Sequence, residues 1–159
     1  MFLGSAQVLT SLGSTATVVT ADLLIKTITF TTSGIFSLGK ALLTPASYMN
    51  YKQLQELEND IDLFETIRIY ELYIKEILEK EKEFIDSSES IKTTIQSIHT
   101  ILNDLHLILQ EIDKKVEYHK TIWFQSLRTL DFTKEIHDIK YKKNILDSRF
   151  NILQKIYKK

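Results

Sequence analysis

Cysteine is absent from the sequence of 159 residues, and proline occurs once, as Pro45. Without cysteine the chain has no disulfide, no thiolate metal ligand and no thiol nucleophile. All four glycines and every alanine lie at or before Ala46, so the longer part of the chain contains none of these residues. Two physically different segments therefore meet at residue 46.

Charge is the second scarce feature, and it is scarce only in the first segment. Of the 20 basic and 21 acidic residues, only Asp22, Lys26 and Lys40 lie there. The split predicts two units: an apolar segment rich in Ser, Thr and Gly over residues 1–46, and a domain of long helices over residues 47–159.

Motifs for catalysis and for cofactor binding are also missing. No glycine-rich phosphate loop can form after residue 39, and the stretch from Gly34 to Gly39 lacks the Lys-Ser/Thr ending of a P-loop. The sequence contains neither a Gly-x-Ser-x-Gly nucleophile elbow nor the Glu-x-x-His pairs of a di-iron helical protein. We therefore expect a non-enzymatic protein with no catalytic residue, no cofactor and no metal.

The strongest pattern in the sequence is a heptad repeat in the middle of the chain. Its apolar residues recur in alternating steps of four and three, which places them on one face of a helix. This seam consists of Ile91, Ile95, Ile98, Leu102, Leu105, Leu109, Ile112 and Val116. Ile101 and Ile108 widen the stripe, so this central helix is expected to pack against at least two neighbours.

Amphipathic stretches flank the central helix on both sides. Residues 47–84 are predicted to form one long helix, with a three-residue stammer between Phe64 and Ile67. Asp86 opens a capping box that would start the central helix, and Asp131 can cap a third helix. The predicted fold is all-α: an elongated antiparallel three-helix bundle or coiled coil with an apolar, helical N-terminal segment.

Histidines are the only candidate metal ligands of the nitrogen type. His99 and His106 lie seven residues apart and are assigned to one face of the central helix, opposite the seam. Because a metal site needs three or four converging ligands, we interpret both as solvated surface side chains. His119 falls at the end of the seam and is predicted to be partly buried, with one ring nitrogen bonded to the backbone.

The first segment also contains a helical pattern, which predicts a helix from about residue 20 to residue 43. Threonines alternate with apolar residues in the same stretch, so helix or strand stays open for residues 15–32. The charge-free run 27–39 is shorter than the about 20 residues that a membrane span needs. The side chains expected to contact a membrane or a second subunit are Leu24, Ile28, Ile35, Leu38 and Leu42.

An aromatic segment follows the central helix. It contains Trp123, Phe124 and Leu127 and is too apolar for an open loop. We interpret it as a helical turn that packs over the tip of the bundle. This is the predicted position of a groove for a partner helix.

Charge is divided unevenly along the helical domain. Residues 52–89 carry 5 basic and 12 acidic side chains, whereas residues 134–159 carry 8 and 3. The two regions are expected to attract each other within the chain, or else to drive head-to-tail association between copies. The basic region is interpreted as a solvated helix face rather than a nucleic-acid surface, because aromatic platforms are not interleaved with it.

These patterns predict a structural or assembly protein, anchored through its apolar N-terminus to a membrane or to partner subunits. The 21 isoleucines are typical of an A/T-rich genome, which makes a minor virion component one concrete form. A membrane-inserting helical pore former and a coiled-coil adaptor are the alternatives. The expected location is intracellular, at a membrane periphery or within a particle, with protein partners and no small-molecule substrate.

Overall fold

The computed structural model describes residues 18–44, 51–122 and 129–158. Of these residues 87% are helical, and none of them forms a strand. The prediction of an all-helical protein is therefore confirmed.

Six α-helices and one 3₁₀ turn make up the described part of the chain. A 3₁₀ turn at Lys52–Gln55 leads directly into the second helix. The helices are α1 (Ala21–Leu42), α2 (Glu56–Asn59), α3 (Leu63–Lys80), α4 (Lys82–Ser87), α5 (Glu89–Thr121) and α6 (Thr133–Tyr157). Helix α5 is the predicted central helix, and α1 matches the helix expected over residues 20–43.

Helix α1 forms although its threonines alternate in a strand-like way. The Thr20 side chain accepts a hydrogen bond from the Leu23 amide at 3.2 Å and so caps the first turn. The Thr27 and Thr32 hydroxyls donate to backbone carbonyls one turn earlier, at 3.1 and 3.0 Å. These local bonds satisfy polar groups inside the helix, and helical spacing then collects the apolar residues on one buried face.

The prediction of a single long helix over residues 47–84 is wrong. It is interrupted at Asp62, which adopts a left-handed conformation with φ 51° and separates α2 from α3. A second interruption at Glu81 separates α3 from α4. Aspartate tolerates the left-handed region better than most residues. Because the apolar periodicity continues across Asp62, the hydrophobic pattern did not indicate a break there.

Contacts fix the direction of α1 relative to its two long neighbours. At one end of α1, Asp22 pairs with Lys82 at 2.7 Å, and at the other end Gly39 lies against the Phe64 ring. Helix α1 is therefore antiparallel to α3. Its contacts with α5 progress in the same direction along both helices, from Thr31 to Gly34 on α1, so those two helices are parallel.

Helix α6 packs against both α5 and α3. It is antiparallel to α5, because Lys142 reaches Asp104 at 2.7 Å while the earlier Glu135 pairs with the later Lys115. Against α3, the Phe150 ring stacks on the Tyr70 ring with their centroids 3.8 Å apart.

The buried side chains of α1, α3, α5 and α6 belong to one hydrophobic core cluster. All eight seam residues of α5 lie inside it, each at most 2% exposed. The sequence-based prediction assigned three helices to the core and treated the N-terminal helix as an appendage. The structure differs because the apolar face of α1 is covered by α3 and α5.

Candidate functional site

Candidate metal ligands do not converge within the described residues. In 18–44, 51–122 and 129–158, no group of three or more His, Asp or Glu side chains is placed to hold a metal ion. Two open depressions of about 290 and 240 Å³ lie along α6 and are lined largely by lysine and amide side chains. The polar groups of the described residues lie instead at helix interfaces and on outer helix faces.

A polar stripe lies between α1 and α5. Lys92, His99 and His106 recur every seven residues on α5, and they are only 3%, 7% and 6% exposed. The prediction that the two histidines are solvated and lie opposite the seam is therefore wrong. Each follows a seam residue directly, and one helical residue turns by about 100°. They thus flank the seam, on the side that α1 covers.

Both histidines contact α1. The Thr31 hydroxyl lies 3.0 Å from His99 Nε2, within the buried interface. The backbone of Gly34 approaches the His106 ring so closely that a Cβ atom at residue 34 would lie 2.7 Å from it. Burial lowers the pKa of both imidazoles below the usual 6.5, which favours their neutral form. The seven-residue spacing of the two histidines indicated that they share a helix face. It could not indicate that α1 covers that face.

The N-terminus of α1 is held by the α3–α5 connection. Asp86 accepts a hydrogen bond from the Ala21 amide at 2.8 Å, across 65 residues of sequence. The prediction that Asp86 caps α5 is wrong, because Ser88 occupies the N-cap and makes no side-chain capping bond. Since Asp86 lies in the last turn of α4, its carboxylate reaches the free amides of α1 instead.

A second polar cluster lies where α5 ends. His119 Nδ1 is hydrogen-bonded to the Tyr51 hydroxyl at 2.8 Å, a side-chain partner that the sequence did not indicate. The Tyr51 ring also packs edge-on against Phe132. Nearby on α6, Glu135 is buried and pairs with Lys115, and its Oε2 makes no hydrogen bond to the described residues.

The start of α6 is fixed by side-chain hydrogen bonds. Phe132 occupies the N-cap and makes no side-chain capping bond, so the predicted cap by Asp131 is displaced by one residue. Asp131 nevertheless accepts a hydrogen bond from the Thr133 amide at 3.0 Å. The Gln53 side chain accepts from the Phe132 amide at 2.8 Å and donates to Asp131 at 3.2 Å. Hydrogen bonds from the Thr133 hydroxyl and amide lower the pKa of the Asp131 carboxyl. Gln53 therefore ties the 3₁₀ turn to α6.

The side chains predicted to contact a membrane or a second subunit are placed differently by the structure. Leu24, Ile28, Ile35 and Leu42 are at most 3% exposed and lie in the core, and Leu38 is half-buried. Within this chain their apolar face packs against α3 and α5. The predicted groove at Trp123, Phe124 and Leu127 lies outside the described residues.

Two outer helix faces combine exposed apolar side chains with charge. On α3 an outer stripe contains Glu65, Ile69, Leu72, Glu76 and Glu79, with Ile69 and Leu72 53% and 56% exposed. We call it the α3 stripe. The exposed Arg68 lies on the same face, and Glu76 pairs with Lys80 at 2.5 Å. On α6 the matching surface, called the α6 stripe, contains Lys134, Tyr141, Arg149, Ile152 and Lys155, with Tyr141 60% exposed.

The described helices are short or polar compared with a membrane span. Among the described residues, none of the helices combines the length and the apolar character that a transmembrane span requires. Helix α1 has 22 residues, but threonine, serine and three charged side chains dilute its apolar content.

Comparison of the chain with protein-family models, with curated proteins and with solved structures gives no match. The class that the structure defines is an all-helical protein whose long helices share one core.

The two glycines of α1 provide a matched test of how tightly this helix is packed. Alanine usually stabilises a helix interior by about 0.5–1 kcal/mol relative to glycine. At Gly34 the added Cβ meets the buried His106 ring at 2.7 Å, so Gly34→Ala is expected to destabilise the protein by about 1 kcal/mol or more. The readout is urea denaturation followed by circular dichroism.

The control for this substitution is Gly39→Ala. Its Cβ would lie 2.5 Å from the Phe64 ring, but Phe64 is only partly buried at the edge of the core, so its ring has more room to move than the buried His106 ring. We expect a smaller loss than at Gly34. A stabilising Gly34→Ala would contradict the close approach of α1 and His106.

Proposed function

We propose that the protein is a non-enzymatic structural or assembly protein, and that its first partner is a second copy of the same chain. The α3 stripe of one copy binds the α6 stripe of the next. Two observations support this: both stripes present exposed apolar side chains, and the region around the α3 stripe is mainly acidic whereas the region around the α6 stripe is mainly basic.

Charge complementarity favours this partner over an unrelated one. Residues 52–89 carry 12 acidic and 5 basic side chains, and residues 134–159 carry 3 and 8. Part of this charge is used within the chain, as in the pair of Lys140 with Glu56 at 2.8 Å. Lys134, Arg149 and Lys155 are exposed and form no ion pair with the described residues. They remain to meet acidic side chains of another copy.

The apolar residues provide most of the expected affinity. Exposed ion pairs contribute little and are screened by salt, whereas Ile69, Leu72, Tyr141 and Ile152 would bury apolar area on association. Because the two stripes lie on different helices, each copy keeps one stripe free after binding. Such a head-to-tail interface extends into a chain of subunits unless a ring closes.

The expected result is concentration-dependent self-association measured by analytical ultracentrifugation. The double substitution Ile69→Ser and Leu72→Ser should weaken it about tenfold or more, as loss of interface anchors does. Charge reversal by Arg149→Glu with Lys155→Glu should also weaken it. Combining that change with Glu65→Lys and Glu79→Lys should restore part of the affinity.

The control is Phe30→Ser with Leu107→Ser, which removes two exposed apolar side chains from α1 and α5. We expect this variant to associate like the parent chain. A chain that stays monomeric at every concentration up to about 100 µM contradicts the proposal, because this concentration is well above the dissociation constant of a stable interface. Equal losses in the control and in the stripe variants also contradict it.

The predicted N-terminal anchor is not part of this proposal, because the apolar face of α1 packs inside the chain. The adaptor alternative depends on Trp123 and Phe124, which lie outside the described residues. Both stripes, in contrast, lie wholly on described helices.

A further inference from the structure

Helices α3, α4 and α5 share one heptad register. The alternating steps of four and three residues that define the seam of α5 continue backwards through α4 into α3 without a skip. The series consists of Ile67, Tyr70, Ile74, Ile77, Glu81, Phe84, Ser88, Ile91, Ile95 and Ile98. One uninterrupted helix would present all of these residues on the same face. The folded chain nevertheless divides this register among three helices.

The two breaks in the register lie at residues that are not helix breakers. Helix α3 ends at Glu81 and α5 begins after Ser88, and neither residue makes a side-chain capping hydrogen bond. Because the sequence contains no glycine or proline after Ala46, the residues that most often stop a helix are absent from both breaks. Tertiary packing, rather than a local stop signal, therefore bends the chain at these two places.

One member of the series, Phe84, is exposed in the folded chain. Its side chain is 52% exposed, whereas Ile77 and Ile91, which precede and follow it among the apolar members, are 3% and 1% exposed. In a continuous helix Phe84 would share a face with both of them. The exposed ring marks the point at which the folded arrangement departs from the apolar pattern.

The helices on the two sides of α4 form two antiparallel pairs. The N-terminal pair is α1 with α3, together with the 3₁₀ turn and α2, and the C-terminal pair is α5 with α6. Helix α3 is joined to the rest of the chain mainly through α1. Between the pairs, α1 packs on α5, and the rings of Tyr70 and Tyr73 contact Phe150 of α6. The chain passes from one pair to the other once, through α4.

Three contacts hold α4 in its folded position. Ile85 is fully buried, and the Asp86 carboxylate accepts a hydrogen bond from the Ala21 amide at 2.8 Å. Lys82 pairs with Asp22 at 2.7 Å, but both side chains of this ion pair are largely exposed, so it contributes little. The folded position of α4 therefore depends mainly on one apolar side chain and one hydrogen bond.

We propose that the protein exchanges its N-terminal pair with a second copy of the chain, and that α3, α4 and α5 then form one continuous helix. Each N-terminal pair packs on the C-terminal pair of the other copy through the contacts that it makes within one chain. The core is therefore conserved, and only the contacts of α4 change. The continuous helix runs over residues 63–121 and is about 90 Å long.

Phe84 gains a partner in the exchanged dimer. In a symmetric dimer the two α4 segments lie beside the two-fold axis, where Phe84 of one copy meets Phe84 of the other. Contact between the two rings removes from water an aromatic side chain that is half-exposed in the monomer. The exchange uses the internal interface and leaves the α3 and α6 stripes free, so it does not depend on the stripe contact.

Refolding from urea at low and at high protein concentration tests the exchange, because the core must open before the two pairs can separate. We expect a monomer at low concentration and a growing dimer fraction at high concentration, resolved by size-exclusion chromatography. The dimer is then cross-linked in the variant Glu56→Cys with Lys140→Cys, whose parent chain contains no cysteine. Glu56 and Lys140 form a partly exposed ion pair at 2.8 Å, so their replacement costs little.

A short bis-maleimide reagent distinguishes the two kinds of dimer. In an exchanged dimer the two introduced thiols that lie close together belong to different chains, so denaturing electrophoresis shows a covalent dimer. In a dimer held by the stripes the reagent joins two thiols of one chain, and the protein migrates as a monomer. That result overturns the exchange and leaves the stripe contact standing. Absence of a dimer after refolding at high concentration also overturns the exchange.

The substitution Glu89→Pro separates the folded monomer from the continuous helix. Glu89 is the first residue of α5, where proline is well tolerated, and Ser88 before it is extended with φ −104° and ψ 98°. In a continuous helix the same proline would lie in the interior and break it. We expect the variant to fold as the parent monomer and to lose the exchanged dimer by about a hundredfold or more.

Glu89→Ala is the control, because it removes the same carboxylate and its ion pair with Lys92 without introducing a proline ring. It should form the exchanged dimer like the parent chain. Phe84→Ser should weaken the dimer about tenfold while the stability of the monomer changes little, since Phe84 is half-exposed there. If Glu89→Pro forms the covalent dimer as readily as Glu89→Ala, the proposal is overturned.

Discussion

Replacement of Leu105 by alanine is expected to lower the free energy of unfolding by about 2–5 kcal/mol. Leu105 is fully buried in the middle of α5, the helix that packs against both α1 and α6. Truncation removes apolar area from the core and leaves a cavity that the rigid helices can fill only partly. Urea denaturation followed by circular dichroism measures the change.

Leu107→Ala is the matched control for this prediction. It deletes the same atoms from the same helix, two residues away, but Leu107 is 41% exposed. Its expected loss is below about 0.5 kcal/mol. Equal losses in the two variants would mean that the seam does not face the core as described.

Replacement of Phe150 by alanine is expected to cost about 3–5 kcal/mol. The Phe150 ring is 5% exposed, stacks on Tyr70 at 3.8 Å and meets Tyr73 edge-on at 5.1 Å. These aromatic contacts join α6 to α3, and their geometry contributes beyond the buried area. The measurement is again urea denaturation, with near-ultraviolet circular dichroism to report the tyrosine environments.

Beside this cluster, burial and the adjacent Asp147 raise the pKa of Tyr70, so its hydroxyl stays protonated and donates to Asp147. Phe84→Ala deletes the same ring at a position that is 52% exposed and is expected to change stability little. A Phe150→Ala loss as small as that of Phe84→Ala would show that α6 does not depend on these aromatic contacts.

The sequence predicted those features that depend on the period of apolar residues along one helix. The all-helical class and the bounds of α1 followed from this period, because it fixes which residues share a helix face. The break at Asp62 could not be found in this way, since the apolar pattern continues across it. A left-handed aspartate costs little and leaves no clear signal in composition.

The sequence did not predict features that depend on which helix packs beside a given residue, and the reason is different. His99 and His106 were placed on a face by counting residues, but their burial depends on α1 lying beside that face. Asp86 matched a local capping pattern, yet its partner is an amide 65 residues earlier. A local pattern cannot rank such a distant partner against a nearby one, because only the packed chain brings the two groups together.

The long sequence separation between Ala21 and Asp86 has a consequence during synthesis. Helix α1 is synthesised before α3 to α6, so the Asp86 carboxylate that binds its first amide and the helices that cover its apolar face appear only after tens of further residues. At about 5–20 residues per second, α1 waits several seconds with its leucines and isoleucines exposed. A nascent chain stalled before residue 86 is therefore expected to expose an apolar face that the folded protein covers, and to be prone to aggregation.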